Sequence, residues 1–333
     1  FDDTFDGGGG GFTVQTPGDL EFLAIGPTQN PVTTGQTRPF QIKMAIRNTG
    51  EADVRLTMDK LSTGVVFGAG PLSWGWDLEP LLAGGTDILA GGATDTIVVT
   101  VDTTGSVSGA SIGLGGLMTG EEINSGELRT ESSILGLGSI TVQTPAQLVI
   151  NGVTATRSTV TTGTNVPWSI RVDVQNTGQS AVDLILPDSI LVSIGDEDFP
   201  STYVRPSNLT GGGTTLAGGQ SGILEIDVTQ TSTFSSPGDK PIDIRVAGTE
   251  LNTLTTTGDN GSETVTIQLP VTPAYVPNSL SPSTVTRGSS ASFWLNLRND
   301  LAGSATMTLD RDQTRLRIGG GLFETGLSAT SPV

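Results

Sequence analysis

Asp196, Glu197 and Asp198 follow Ile194-Gly195 in a predicted turn. Hard carboxylate oxygens gathered in a loop are the raw material of a calcium site. No D-x-D-x-D-G pattern frames them, so solvated turn acids are the default reading. Calcium at this loop or between repeats is the alternative, and no other cofactor is expected. Further acids stand at Asp2-Asp3 and as the looser pair Asp259 and Glu263. Glu121-Glu122 has the residue types of a glycosidase acid and nucleophile. The matching place later in the chain reads Thr249-Glu250, so no consistent pair exists and no catalytic residue is assigned. Gly7 to Gly11 could cradle a phosphate, but no Lys-Ser/Thr follows, which excludes a P-loop and leaves a flexible linker.

A second set of residues has the chemistry of contact. Trp74 and Trp76 lie in Leu72-Ser73-Trp74-Gly75-Trp76, and Phe199, Tyr203 and Arg205 lie in a comparable later stretch. Such side chains anchor interfaces when exposed, and aromatic faces can stack on sugars. The plain alternative is local core at a sheet edge. Asn208-Leu209-Thr210 and Asn260-Gly261-Ser262 match the N-glycosylation pattern, both in predicted loops.

Composition narrows the classes. The 333 residues include no His and no Cys, which excludes a histidine-based triad, imidazole metal ligands, thiolate zinc and disulfides. With 16 basic against 34 acidic residues the formal charge is −18. That balance argues against nucleic acid and against anionic membrane surfaces as partners. No apolar run approaches the ~18–20 residues of a membrane span, so no membrane insertion is expected. No signal peptide precedes Phe1, which suggests a mature product or a window cut from a longer chain.

The organisation is repetitive. Thr13-Val14-Gln15-Thr16-Pro17 recurs at Thr141 to Pro145 and, weakened, at Thr266 to Pro270, a spacing of roughly 125–128 residues. Asn48-Thr49-Gly50 returns as Asn176-Thr177-Gly178 and in part as Asn299-Asp300. Leu89-Ala90-Gly91-Gly92 returns as Leu216-Ala217-Gly218-Gly219. The chain therefore divides into a tail or linker at 1–12, repeats at 13–139 and 140–265, and the first half of a third at 266–333. Two readings fit the half repeat: a window in a longer tandem array, or subunits that complete one another.

Within each repeat the apolar residues alternate, as in half-buried strands. Phe40, Ile42, Met44 and Ile46 do so in the first, Trp168, Ile170, Val172 and Val174 in the second, and Ala291, Phe293, Leu295 and Leu297 in the third. Each run ends at an Asn-containing turn, where Asn and Gly tolerate positive φ. A second alternating strand follows at once. No segment shows a 3.6-residue apolar period. The expected fold is all-β: tandem immunoglobulin-like antiparallel β-sandwich domains of about 125 residues.

This order of alternating strand, Asn-Thr-Gly, alternating strand, Leu-Ala-Gly-Gly and Val/Thr-rich strand resembles the immunoglobulin-like repeats of bacterial and archaeal cell-surface proteins, particularly adhesion-related ones. The repeats here are longer than the compact members. The resemblance implies an extracellular, non-catalytic surface protein. The expected role is mechanical: a fibre, filament or lattice whose partners are copies of itself or neighbouring repeats. The alternative is an adhesin or carbohydrate-binding stalk, with a glycan as ligand.

Overall fold

The computed structural model describes residues 13–310 other than 69–73, 106–109, 164–165, 196, 199–202, 230–235, 278, 280, 288, 290 and 300–304, together with 316–318 and 321–323. Among these, all regular structure is strand. The first repeat contains β1 (Leu20–Pro27), β2 (Val32–Thr33), β3 (Phe40–Asn48), β4 (Val54–Leu56), β5 (Gly64–Phe67), β6 (Gly75–Leu78), β7 (Ile88–Leu89), β8 (Thr94–Thr103), β9 (Ala110–Glu122) and β10 (Leu128–Gln143). The second contains β11 (Leu148–Ala155), β12 (Thr159–Thr161), β13 (Trp168–Asn176), β14 (Val182–Leu184), β15 (Leu191–Ile194), β16 (Glu197–Asp198), β17 (Tyr203–Val204), β18 (Thr215–Leu216), β19 (Ser221–Val228), β20 (Gly238–Glu250) and β21 (Thr256–Gln268).

Each of these two repeats is a two-sheet sandwich. The first pairs β1-β3-β8-β6 in one sheet and β2-β10-β9-β4-β7 in the other, with β5 also on β9. The second repeats this as β11-β13-β19-β17 against β12-β21-β20-β14-β18, with β15 on β20. An A-B-E-D sheet facing a G-F-C sheet is the immunoglobulin strand order. In both repeats the short second strand joins the closing strand in parallel. In both, the first strand slips register at one place, after Phe22 and after Ile150.

The alternation read from the sequence is the burial pattern. Ile42, Met44 and Ile46 of β3 and Ile97, Val99 and Val101 of β8 face Ile112, Leu114, Met118, Ile140 and Val142 from the other sheet. Ile170, Val172, Val174, Leu224, Ile226, Ile242, Ile244, Val265 and Ile267 fill the second core. A fully buried side chain of this kind contributes roughly 1.5–3 kcal/mol.

The boundaries at 139/140 and 265/266 fall inside strands. Ile140 and Val142 belong to the first core and Ile267 to the second. The Thr-Val-Gln motif is thus the end of a closing strand, not the start of the next repeat. The connector proper is residues 144–147. The shorter second interval also has a place: β10 loses register with β9 between Ser133 and Gly138, whereas β20 and β21 pair without a break from Gly238 to Thr249.

The Asn-Gly turns work differently from the expectation. Neither Asn nor Gly there has positive φ. Asn176 is fully buried and is a hydrogen-bond hub. Its Nδ2 donates to the carbonyls of Ser180 (2.7 Å) and Leu216 (3.2 Å), and its Oδ1 accepts from the amides of Gln147 (3.2 Å) and Gly178 (3.1 Å). Asn48 makes the same four bonds with Ala52, Leu89, Asp19 and Gly50. Gly178 is required by proximity: a Cβ there would lie 2.0 Å from the Pro145 carbonyl oxygen. The Leu-Ala-Gly-Gly turn ends on Gly219, whose φ is +79°. The two motifs are thus one cluster, joined by the Asn amide.

The third copy supplies β22 (Pro273–Tyr275) and β23 (Leu297–Asn299), with two further short strands, β24 (Leu316–Ile318) and β25 (Gly321–Phe323). Pro273 pairs with Asn299 as Leu148 pairs with Asn176. Asn299 again accepts from the residue before its partner strand, Thr272, and donates to Ala305. The expected inward residues Leu295 and Leu297 are exposed, because no second sheet covers them among the described residues.

Candidate functional site

Two places gather functional side chains: the junction between the sandwiches and an edge of the second one. At the junction, Thr33 ends β2 beside Gln143, and both Thr33 and Glu250 are buried, at 0% and 2% exposure. The Thr33 hydroxyl donates to Glu250 Oε1 at 2.5 Å, and Glu250 Oε2 accepts from the Ala146 amide at 3.3 Å. Asn252 Nδ2 donates to the Thr33 hydroxyl oxygen (3.0 Å) and to Ser180 Oγ (3.2 Å). Beneath Thr33, buried Gln36 and Thr104 complete the network: Gln36 accepts from the Thr33 amide and Thr104 donates to its carbonyl. Polar groups this buried are costly unless satisfied, and here each has a hydrogen-bond partner at the junction.

The first repeat carries the corresponding glutamate, Glu122. Its Oε2 accepts from the Gly18 amide, as Glu250 does from Ala146, and from Arg129 Nη2 at 2.8 Å. Glu121 beside it is exposed. The two adjacent glutamates thus stand in different surroundings, Glu122 buried against Arg129 and Glu121 exposed. The Arg129 hydrogen bond, aided by Ser125 and the Gly18 amide, holds the Glu122 carboxyl below its ordinary value. A carboxyl depressed by folding stabilises the fold above its unfolded value, and that contribution disappears as pH falls through the folded value. Arg129→Met will therefore destabilise the first sandwich at neutral pH and progressively less as pH drops below 4.5. Urea unfolding followed by Trp fluorescence at neutral and acid pH tests this; a pH-independent difference refutes it.

The aromatic residues divide between the repeats. Trp74 stacks on Phe67 (4.3 Å between centroids, 13°) and meets Phe40 edge-on at 6.5 Å. Trp76 covers Gly64, where a Cβ would come within 2.5 Å of the indole. Lys60 lies over the Trp76 ring at 5.3 Å and pairs with Asp77. Both tryptophans pack against the first core, closing the gap between sheet edges.

Among the described residues the second sandwich has no such cover over the gap. Tyr203 sits opposite Val228 as Trp76 sits opposite Val101, so Tyr203 takes the place of Trp76 and Arg205 that of Leu78. A cleft of about 700 Å³ lies here. Tyr203, Arg205, Asp243, Arg245, Asn260 and Ser262 line it, along with Leu191 and Ser193 of β15. The Arg205 guanidinium stands 5.5 Å from the Tyr203 ring centroid. Arg245 occupies the position of Leu117, and Asp243 that of Gly115.

The remaining sequence candidates fall elsewhere. Glu197 and Asp198 are strand residues paired with Ile194 and Ser193, not turn residues; the reversal is made at Gly195, whose φ is +65°. Asp196 and Phe199 lie outside the described residues. Among the described residues no three acidic side chains gather in a metal-binding arrangement. Asn208 is exposed in a loop, as expected. Asn260 is on β21 opposite Arg245, because the run 256–268 is one uninterrupted strand rather than a loop. Sequence reasoning missed Thr33, Glu250, Asn252, Asp243 and Arg245. Only the Glu122/Glu250 correspondence between copies signalled any of them.

No protein-family model matches the sequence, and no curated protein matches it. Among solved structures, the chain is similar to the secreted serine protease VesC from Vibrio cholerae, with 11% identity and a TM-score of 0.24. That match covers 66% of this chain and 48% of the protease, so the chain spans about half of that protein's length. It is also similar to the CFA/I adhesin CfaE of enterotoxigenic E. coli (10%, TM-score 0.25, covering 75% and 86%). A third similar structure is titin A168–169 (10%, TM-score 0.21, covering 74% and 99%). Among the described residues no helix is long and apolar enough to cross a membrane.

Proposed function

We propose that this chain is part of an extracellular structural protein whose tandem sandwiches form a stiff surface stalk, fibre or lattice. The observation that supports this most is the junction. Strand β10 runs to Gln143, four connector residues follow, and Thr33, Glu250 and Asn252 close the gap with buried hydrogen bonds. A flexible linker would let the repeats swing; a satisfied, water-excluding contact holds their angle. The acidic, Lys-poor surface keeps such an extended chain soluble by mutual repulsion. The resemblance to cell-surface repeats agrees with this reading, which assigns no catalysis to the segment.

Replacing Thr33 by Val leaves shape and volume but removes the hydroxyl, at a cost of about 1–3 kcal/mol to the contact. Small-angle X-ray scattering of the purified chain will then show a broader distribution of inter-repeat distances. An unchanged profile would sink the stiff-junction reading. Electron micrographs of the wild-type material test assembly: regular fibres support a polymer, isolated short rods a monomeric stalk.

The cleft favours a second reading, an adhesin or carbohydrate-binding stalk. Among the described residues it is open in one repeat and closed by Trp76 in the other, so the second sandwich differs from the first in having room for a ligand.

A further inference from the structure

We infer that the cleft on the second sandwich binds an acidic saccharide, its carboxylate held by Arg205 and Arg245; this deepens the adhesin reading and rests on it. The chain is strongly acidic, with 16 basic residues in 333, yet two arginines line one cleft. Among the described residues neither is in an ion pair with Asp or Glu; the ion pairs found use Arg55, Lys60 and Arg129, all in the first repeat. The cleft lining thus carries two guanidinium groups against one carboxylate, Asp243, in a chain where acids outnumber bases, and the planar guanidinium suits a ligand carboxylate.

The equivalent positions show that this chemistry is particular to the second sandwich. Leu78 and Leu117 of the first become Arg205 and Arg245, and Trp76, which fills the first gap, becomes the smaller Tyr203. A repeat serving only as a spacer has no need of that exchange. The volume, about 700 Å³, lies within the roughly 300–1,000 Å³ of small-ligand sites and suits one or two sugar rings. Asp243, Asn260 and Ser262 add acceptors and donors of the kind hydroxyl groups require, whereas an acidic peptide has few hydroxyls to use them. Asn260 lines the cleft, so a glycan attached there would occupy it.

The test is calorimetric titration of the intact chain with galacturonic acid oligomers of two or three units, beside their methyl esters, neutral galactose oligomers and a glutamate-rich peptide. The expected result is binding of the free acid only. Arg205→Gln and Arg245→Gln are each expected to weaken it roughly tenfold to a hundredfold, with the unfolding curve unchanged. Trp76→Phe, in the first repeat, leaves binding intact. Equal binding of acid and ester overturns the proposed role of the arginines while leaving the adhesin reading standing. Binding of the peptide alone overturns the saccharide assignment. Absence of binding to every probe overturns the inference and leaves the stalk reading to its own scattering test.

Discussion

Asn176→Ala is expected to lower the urea midpoint of the second sandwich sharply while the first keeps its own. Four hydrogen bonds converge on that side chain, and none has a water-accessible substitute, because Asn176 is fully buried. Truncation strands two carbonyls and two amides and leaves a cavity. Each abandoned buried group costs about 1–3 kcal/mol, and relaxation recovers part of the sum, so a loss of about 3–5 kcal/mol is expected. That is a large share of the roughly 5–15 kcal/mol available to a domain. Trp168 reports on the second core and Trp74 with Trp76 on the first, so fluorescence of single-Trp variants separates the two transitions. A second sandwich that unfolds at its original urea midpoint would show that the hub is dispensable. Asn48→Ala should reverse the pattern, since it makes the matching bonds in the first sandwich.

Gly178→Ala is expected to damage fold and junction together. The added Cβ would meet the Pro145 carbonyl oxygen at 2.0 Å and the Ala146 Cα at 2.8 Å, both backbone. No rotamer change can relieve that, so the connector itself must move. Ala146 is the residue whose amide holds Glu250, and Glu250 holds Thr33. A cost of about 2–4 kcal/mol is expected, near the upper end for one added methyl, because main chain rather than side chain has to yield. Urea unfolding measures the loss, and scattering measures the accompanying change in inter-repeat angle. A variant with both properties unchanged would mean that the connector adapts without strain.

These expectations tie the landmark motifs to mechanics. Asn-Thr-Gly and Leu-Ala-Gly-Gly, about forty residues apart in each repeat, are bound through the asparagine amide at the same end of the sandwich as the conserved-in-place glutamates Glu122 and Glu250. In the second repeat that end receives Thr33 of the first. The residues that made the repeat visible are therefore those that close each sandwich at its joining end.

Strand content, the sandwich class and the repeat were legible in the chain alone, because alternation and turn composition are local properties. Phe40 to Ile46 and Trp168 to Val174 need only the two-residue period of a pleated strand to declare which face is buried. The work done by Asn176 was not legible, since its partners lie at Gln147, Ser180 and Leu216, and a sequence does not say which distant carbonyls will meet one amide. Nor was the ending of a repeat, because Thr141-Val142-Gln143 recurs whether it closes one sandwich or opens the next; only its pairing with Ser111 and Ala110 of β9 and with β2 decides. The same holds for the cleft. Tyr203 and Arg205 were visible as contact chemistry, but Asp243, Arg245 and Asn260 reach them only when two sheets close, and whether the gap is filled depends on how large a ring stands at one edge. Local patterning thus determined what each strand is, while the meeting of residues far apart in the chain, which packing alone specifies, decided what the sandwiches hold between and within them.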